Sequence, residues 1–212
     1  MRILLNGYKP PSPEMGKVGA LLGPYLVEHG HELVENERDA DAMVDFTAPA
    51  AVVANVLRAL EEGVPCVVGT TGWDTGEVDE AARDAGVPVF VAPNFAIGAV
   101  LMMRFAQAAA PYFEAAEIIE LHHAAKVDAP SGTAKATAAA MTPSLRDEVQ
   151  VHSVRLPGLV AHQEVILGSH GETLTIRHDT TSRDAFAPGV LLALSKLGDL
   201  PPGITTGLDA LL

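Results

Sequence analysis

Apolar and polar positions change rhythm along this chain, and the change divides it. In the first part, short apolar runs alternate with stretches of helical spacing. Residues 2–6 form an apolar run that ends at Gly7 and reads as a buried strand. Residues 16–29 then place Val18, Leu21, Leu22, Tyr25 and Leu26 on one helical face. Further strands are expected at 32–35, 42–46, 66–68 and 87–91. Helices are expected at 49–62, closed by Gly63, and from a cap at Asp74 or Thr75 to Ala85, closed by Gly86. Strands alternating with helices and short loops predict an α/β domain, a Rossmann-type parallel sheet with right-handed crossovers and helices on both faces. Such sheets bind ligands beyond the carboxyl ends of their strands. Those ends are Gly7, Thr47, the loop Gly69, Thr70 and Thr71, and the loop Ala92, Pro93, Asn94 and Phe95.

After an apolar helix at 97–112 the rhythm changes. Strand-like runs at 116–121, 149–156, 163–168 and 173–178 have few helices between them, which indicates an antiparallel or mixed sheet. Residues 182–197 are helical again, with Phe186, Val190, Leu191, Leu194 and Leu197 on one side. The expected organisation is a dinucleotide-binding domain built from 1–96 and 183–212, with a smaller α+β domain for the substrate, 97–182, inserted between them. No internal repeat is present, and the alanine-rich run at 134–140 is a strong helix former.

Composition narrows the function. The 212 residues suffice for one large or two small domains with a real core. Aromatic residues are only 5% of the chain, so that core is built from Ala, Val and Leu. A formal net charge of -13 argues against non-specific nucleic-acid or anionic-membrane binding. An anionic substrate therefore needs a local basic cluster, and His122, His123, Lys126 and Lys135 form the densest one. The single cysteine, Cys66, rules out an intramolecular disulfide, and no Cys/His spacing points to a metal site. The N-terminal apolar run is too short for a signal peptide, and no run is long enough to span a bilayer. A cytoplasmic protein is expected.

The chemistry concentrates in Glu120-Leu-His-His-Ala-Ala-Lys126-Val-Asp-Ala-Pro-Ser131-Gly-Thr133. A strand delivers two adjacent imidazoles, His122 and His123, which titrate near neutrality and can give or take a proton. Lys126 adds a cation. Ser131 is a good N-cap, and the backbone N–H groups of Gly132 and Thr133 at a helix start attract carboxylate or phosphate.

This stretch resembles the signature of the dihydrodipicolinate reductases, also called 4-hydroxy-tetrahydrodipicolinate reductases. Other segments fall in the family's order: Val44-Asp-Phe-Thr47 with Pro49 and Asn55, Gly69-Thr-Thr-Gly72, Ala92-Pro-Asn-Phe95, His152-Ser-Val-Arg-Leu-Pro-Gly158, Ala161-His-Gln-Glu-Val165, and Thr181-Ser-Arg183 with Phe186. The resemblance implies reduction of a cyclic unsaturated imine dicarboxylate by NADH or NADPH, in the diaminopimelate route of lysine biosynthesis. It implies His122 as general acid and Lys126 as the group that stabilises developing charge. It further implies His123, Ser131, Gly132 and Thr133 at the substrate carboxylates, Arg183 and Phe186 at the cofactor, and a homotetramer built through the second sheet. Two alternatives from other classes are a catalytically silent NAD(P)-binding homologue and another Rossmann oxidoreductase of amino-acid metabolism.

The cofactor loop departs from the family pattern. A compact Gly-x-x-Gly-Arg-Met-Gly is usual after the first strand; here Gly7 and Met15-Gly16 match its ends, around the longer Tyr8-Lys-Pro-Pro-Ser-Pro-Glu14. The second glycine, which normally lets a pyrophosphate approach the backbone, is missing. Glu35 stands 19 residues after Gly16, where a carboxylate accepts hydrogen bonds from the adenosine ribose, and Arg38 is placed to meet a 2′-phosphate. NADH is expected to serve at least as well as NADPH.

Overall fold

A computed structural model describes residues 1–8 and 17–212. Met15 and Gly16, both expected at the cofactor, lie outside the described residues. The chain forms two compact units, Met1–Phe95 with Phe186–Leu212, and Ala96–Ala185. Ala96 and residues 183–185 thus belong with the second unit, whereas the sequence reading assigned them to the first.

The first unit holds strands β1 (Arg2–Asn6), β2 (Glu32–Val34), β3 (Ala42–Asp45), β4 (Cys66–Val68) and β5 (Pro88–Val91), with helices α1 (Lys17–Glu28), α2 (Pro49–Glu61) and α3 (Gly76–Ala85) between them. The sheet is parallel, in the order β10-β5-β4-β3-β1-β2, where β10 is Gly203–Thr206 near the C-terminus. Ile3, the β3 side chains and all of β4 are buried because helices cover both faces. Helix α2 buries Val52, Val56, Ala59 and Leu60, the i, i+4 and i+7, i+8 positions of one face, each Val or Leu contributing roughly 1.5–3 kcal/mol by area removed from water. Asp74 Oδ1 accepts from Gly76 N–H at the start of α3, while Thr75 makes no side-chain capping bond. Gly86 ends that helix at φ 68°, a left-handed conformation that costs glycine nothing.

Strand β10 escaped the sequence reading. It is four residues long, follows two prolines, and carries Gly203, Thr205 and Thr206, so it shows no apolar signature. Pairing with β5 makes it a strand. The helix expected over 182–197 is broken in two: a 3-10 turn over Arg183–Phe186, then α6 (Ala187–Lys196). Pro188 sits in the first turn of α6, the one place in a helix where its missing N–H costs no bond.

The second unit contains α4 (Ile97–Ala109), β6 (Ala115–His122), α5 (Gly132–Met141), β7 (Gln150–Arg155), β8 (Ala161–Ser169) and β9 (Glu172–Thr180). Its four-stranded sheet has the order β7-β6-β8-β9, with β6 parallel to β7 and antiparallel to β8, so the sheet is mixed. Helix α4 stops three residues short of the expected end because Pro111 allows only a 3-10 turn, Ala110–Tyr112. Ala116, Ile118, Val165 and Leu167 on one sheet face form a core with Met102 and Ala106 of α4 and Ala134 and Met141 of α5. That alternation also decides which way the charged end of β6 points, since Glu120 and His122 share the face of Ile118.

Candidate active site

At the carboxyl end of the first unit's sheet, a groove of about 600 Å³ is lined by Asn6 at the end of β1, by Gly7 and Tyr8 after it, and by Leu33, Val34 and Glu35 at β2. It lies over the neighbouring strands β1 and β2, while β3 pairs with the other side of β1, where the strand order reverses. Gly7 has φ 85°. A Cβ on Gly19 of α1 would stand 2.9 Å from the Gly7 carbonyl oxygen, so a glycine is what lets the helix start pack against the strand end. That close helix–strand fit is a task of the third glycine in dinucleotide loops, and the sequence reading missed it. Glu35 follows the last residue of β2 and is exposed at the groove. Arg38 is also exposed and its Nε bonds Glu62 at 3.1 Å. A groove lined by a positive-φ glycine and an exposed carboxylate could hold part of a dinucleotide.

Behind the groove, Asp45 is fully buried. It accepts from Asn6 Nδ2 (3.1 Å), the Thr47 N–H (2.9 Å) and Oγ1 (2.7 Å), Asn55 Nδ2 (2.7 Å) and Thr70 Oγ1 (3.2 Å). The ends of β1, β3 and β4 are thereby tied to one carboxylate. Gly69 leaves no room for a side chain, since a Cβ there would fall 2.0 Å from the Phe46 ring. Thr70 is buried and its carbonyl accepts from Trp73 Nε1 at 2.7 Å, whereas Thr71 is exposed. In the other loop Ala92 is buried, Pro93 exposed and Asn94 half-buried. The Phe95 ring packs against Phe46 and Phe90, and a Cβ on Gly189 would come within 2.0 Å of its carbonyl oxygen. The Phe95 ring thereby anchors the loop. Arg183 is exposed in the second unit and Phe186 half-buried in the first.

In the second unit, the stretch 120–133 folds around a carboxylate. Glu120 is fully buried, and Arg155 grips it with Nη2 on Oε1 at 2.7 Å and Nη1 on Oε2 at 2.9 Å. His122 Nδ1 stands 2.5 Å from Oε2, and the Ser131 N–H donates to Oε1 at 3.2 Å. Arg155 also donates to the carbonyls of Val154 (2.8 Å) and Asp128 (2.7 Å). Burial pushes the Glu120 carboxyl up, but bonds from Arg155, Ser153 and His122 outweigh it and hold the group at about 2. For His122, burial lowers the pKa from its ordinary value; the Glu120 carboxylate pulls upward, and Lys126 and Arg155 add to the downward push.

Lys126 Nζ pairs with Asp128 Oδ1 at 2.7 Å, a partner that the sequence reading did not assign. His123 is half-buried, and its carbonyl accepts from the Lys126 N–H. Ser131 caps α5 through a bond from the Ala134 N–H (3.2 Å) and is buried. Its N–H goes to Glu120 and its carbonyl accepts from the Lys135 N–H, so the Ser131 backbone shapes the helix start. Gly132 is exposed, with open space where a side chain would lie, and Thr133 is half-buried. Their N–H groups, in the first turn, have no intrahelical carbonyl to bond and leave a positive helix end.

Fold and site together define a Rossmann-type oxidoreductase in which a second, mixed-sheet unit carries a histidine bonded to a buried carboxylate that also bonds the start of a helix. The chain belongs to the dihydrodipicolinate reductase family. The family's N-terminal model matches residues 13–95 and its C-terminal model residues 98–212. A 4-hydroxy-tetrahydrodipicolinate reductase of Thermobifida fusca (strain YX) is 50% identical over 199 residues, covering 81% of this chain and 81% of the relative. Its counterpart in Moorella thermoacetica is 52% identical over 197 residues, 81% of this chain and 73% of that one. Among solved structures, a dipicolinate-bound dihydrodipicolinate reductase from Paenisporosarcina sp. TG-14 superposes with a TM-score of 0.82 at 30% identity, over 100% of this chain and 99% of that one. Among the described residues, no helix is long and apolar enough to cross a membrane.

Proposed function

We propose that this chain reduces 4-hydroxy-tetrahydrodipicolinate to tetrahydrodipicolinate at the expense of NADH or NADPH, in the diaminopimelate route to lysine. Its relatives carry that activity in their names, and the related solved structure holds dipicolinate, a planar cyclic dicarboxylate. One observation carries the reading to this chain's own residues: a single buried carboxylate, Glu120, bonds both the imidazole of His122 and the N–H of Ser131 that opens α5. A proton donor and an anion-binding helix end are thus referenced to the same point.

In this reading the first unit binds the dinucleotide, with Gly7, Gly69, Thr70, Thr71 and Asn94 at the strand ends and Glu35 at the ribose. The bound nicotinamide supplies the hydride. His122 gives the proton that quenches the resulting charge on the ring, a contribution of roughly 10²- to 10⁴-fold for a positioned acid. Lys126 stabilises that charge as it develops. The N–H groups of Gly132 and Thr133, the Thr133 hydroxyl and His123 hold the two carboxylates. Helices α4 and α5 pack on one face of the mixed sheet, leaving half-buried Ile119, Leu121 and Ile166 on the other; this supports a homotetramer assembled through that face. To test the reading, aspartate semialdehyde and pyruvate are converted by the upstream synthase, and nicotinamide absorbance is followed after adding this protein with either cofactor. Loss of absorbance is expected; none with either cofactor would overturn the assignment.

A further inference from the structure

We propose that Glu120 and Arg155 are positioning residues for the proton donor: the buried pair holds His122 by Nδ1, so that Nε2 is the nitrogen that passes the proton to the substrate. The proposal rests on the reading of His122 as general acid and adds to it which nitrogen acts and what aims it. An ionised carboxylate only accepts hydrogen bonds. With Oε2 of Glu120 2.5 Å from Nδ1, that nitrogen must be the donor, and the neutral ring is the Nδ1–H tautomer. Nε2 is then where the exchangeable proton comes and goes: the Nε2–H bond breaks, the proton moves to the reduced ring, and solvent restores it.

Arg155 keeps this arrangement in force. Its two bonds to Glu120 hold the carboxylate ionised in a site with no solvent exposure, so Glu120 does not compete as a donor. Because β7 runs parallel to β6 with Arg155 opposite His122, the guanidinium lies beside the ring it serves. The same guanidinium bonds the Asp128 carbonyl, and the same carboxylate bonds the Ser131 N–H. The pair therefore fixes the Lys126 loop and the α5 start as well as the imidazole. Among the described residues, the charges facing His122 are Glu120 from β6, Arg155 from β7 and Lys126 from the following loop, itself paired with Asp128. Ala161, opposite His122 on β8, brings none.

The first measurement needs no substrate. In ¹⁵N-labelled protein, the neutral His122 ring is expected to show the Nδ1–H tautomer; a predominantly Nε2–H ring overturns the proposal even if the protein proves to be an active reductase. The second is the pH profile of kcat. Glu120→Gln removes the anion that favours the imidazolium, so the alkaline limb moves to lower pH and kcat falls roughly 10- to 100-fold. Glu120→Asp keeps the charge and keeps the limb in place. Arg155→Lys keeps a cation that cannot grip both oxygens, and lowers kcat without moving the limb. A merely structural role lowers kcat at every pH alike, so an unmoved limb in folded Glu120→Gln overturns the proposal. Should that variant fail to fold, the wild-type tautomer decides alone. Absence of any reductase activity in the wild type would instead remove the functional reading and leave the tautomer result standing.

Discussion

Glu120 links the stability of the second unit to pH in a way that can be worked from the structure. Its carboxyl has an ordinary value of 4.5 and is held at about 2 in the folded protein. A depressed folded value means that the unfolded chain binds the proton more tightly. The stabilisation is therefore fully present above 4.5 and is lost as pH falls through 2. At 1.36 kcal/mol per pH unit, the gap corresponds to about 3 kcal/mol at neutral pH, of which roughly 2 kcal/mol has gone by pH 3. The glutamine of Glu120→Gln resembles the protonated carboxyl. It is therefore expected to lower stability by about 3 kcal/mol at pH 7 but by only about 1 kcal/mol at pH 3. The acids whose pKa values are also lowered, Asp41, Asp79, Asp128 and Asp179, titrate in both proteins and cancel in the difference, whereas His122, which loses the Glu120 carboxylate in the variant, works against the expected narrowing. Two compact units make a single unfolding transition an unsafe assumption. Urea titrations at pH 7, 5, 4 and 3 should thus be followed at the amide resonances of Ile118 and Val165, both buried in the second unit. A difference between wild type and variant that stays flat from pH 7 to pH 3 would refute the reasoning: Glu120 would then titrate alike in the folded and unfolded chain.

Three further outcomes are expected. His122→Gln lowers kcat by roughly 10²- to 10⁴-fold with little change in substrate KM, because the lost interaction exists only in the transition state; steady-state kinetics giving unchanged turnover and a raised KM would contradict it. Thr133→Val raises substrate KM more than it lowers kcat, since the hydroxyl holds a carboxylate before and during reaction; the check is a substrate titration, and an unaltered KM would count against the anion cradle. In the wild type NADH performs at least as well as NADPH, and Arg38→Ala weakens NADPH while leaving NADH nearly untouched. Arg38 is exposed and must leave Glu62 to reach a phosphate, so its contribution is modest, and equal losses for both cofactors in binding titrations would remove it from the 2′ position.

The stretch 120–133 was legible because its chemistry is local. A strand period of two places Glu120 and His122 on one face, and Ser131 three residues before a free helical N–H is a cap in any context. The alternation of apolar runs with helical spacing likewise gave the parallel sheet, since burial on both faces is written as continuous hydrophobic strands. Other features depended on pairing partners distant in the sequence. Strand β10 has too little apolar character to announce itself and exists because β5 offers its edge. Arg155, 35 residues from Glu120, is one polar residue among several until the parallel register of β7 sets it beside His122. Ser131 and Phe95 also serve the fold: the Ser131 N–H bonds Glu120, its Oγ accepts from Ala134, and the Phe95 ring packs on Phe46 and Phe90. Sequence by itself determined which chemical groups this protein carries and the local elements that present them. Only the tertiary structure decided which of those groups remain free to act, because a hydrogen bond or a packed face spent inside the fold is no longer available outside it.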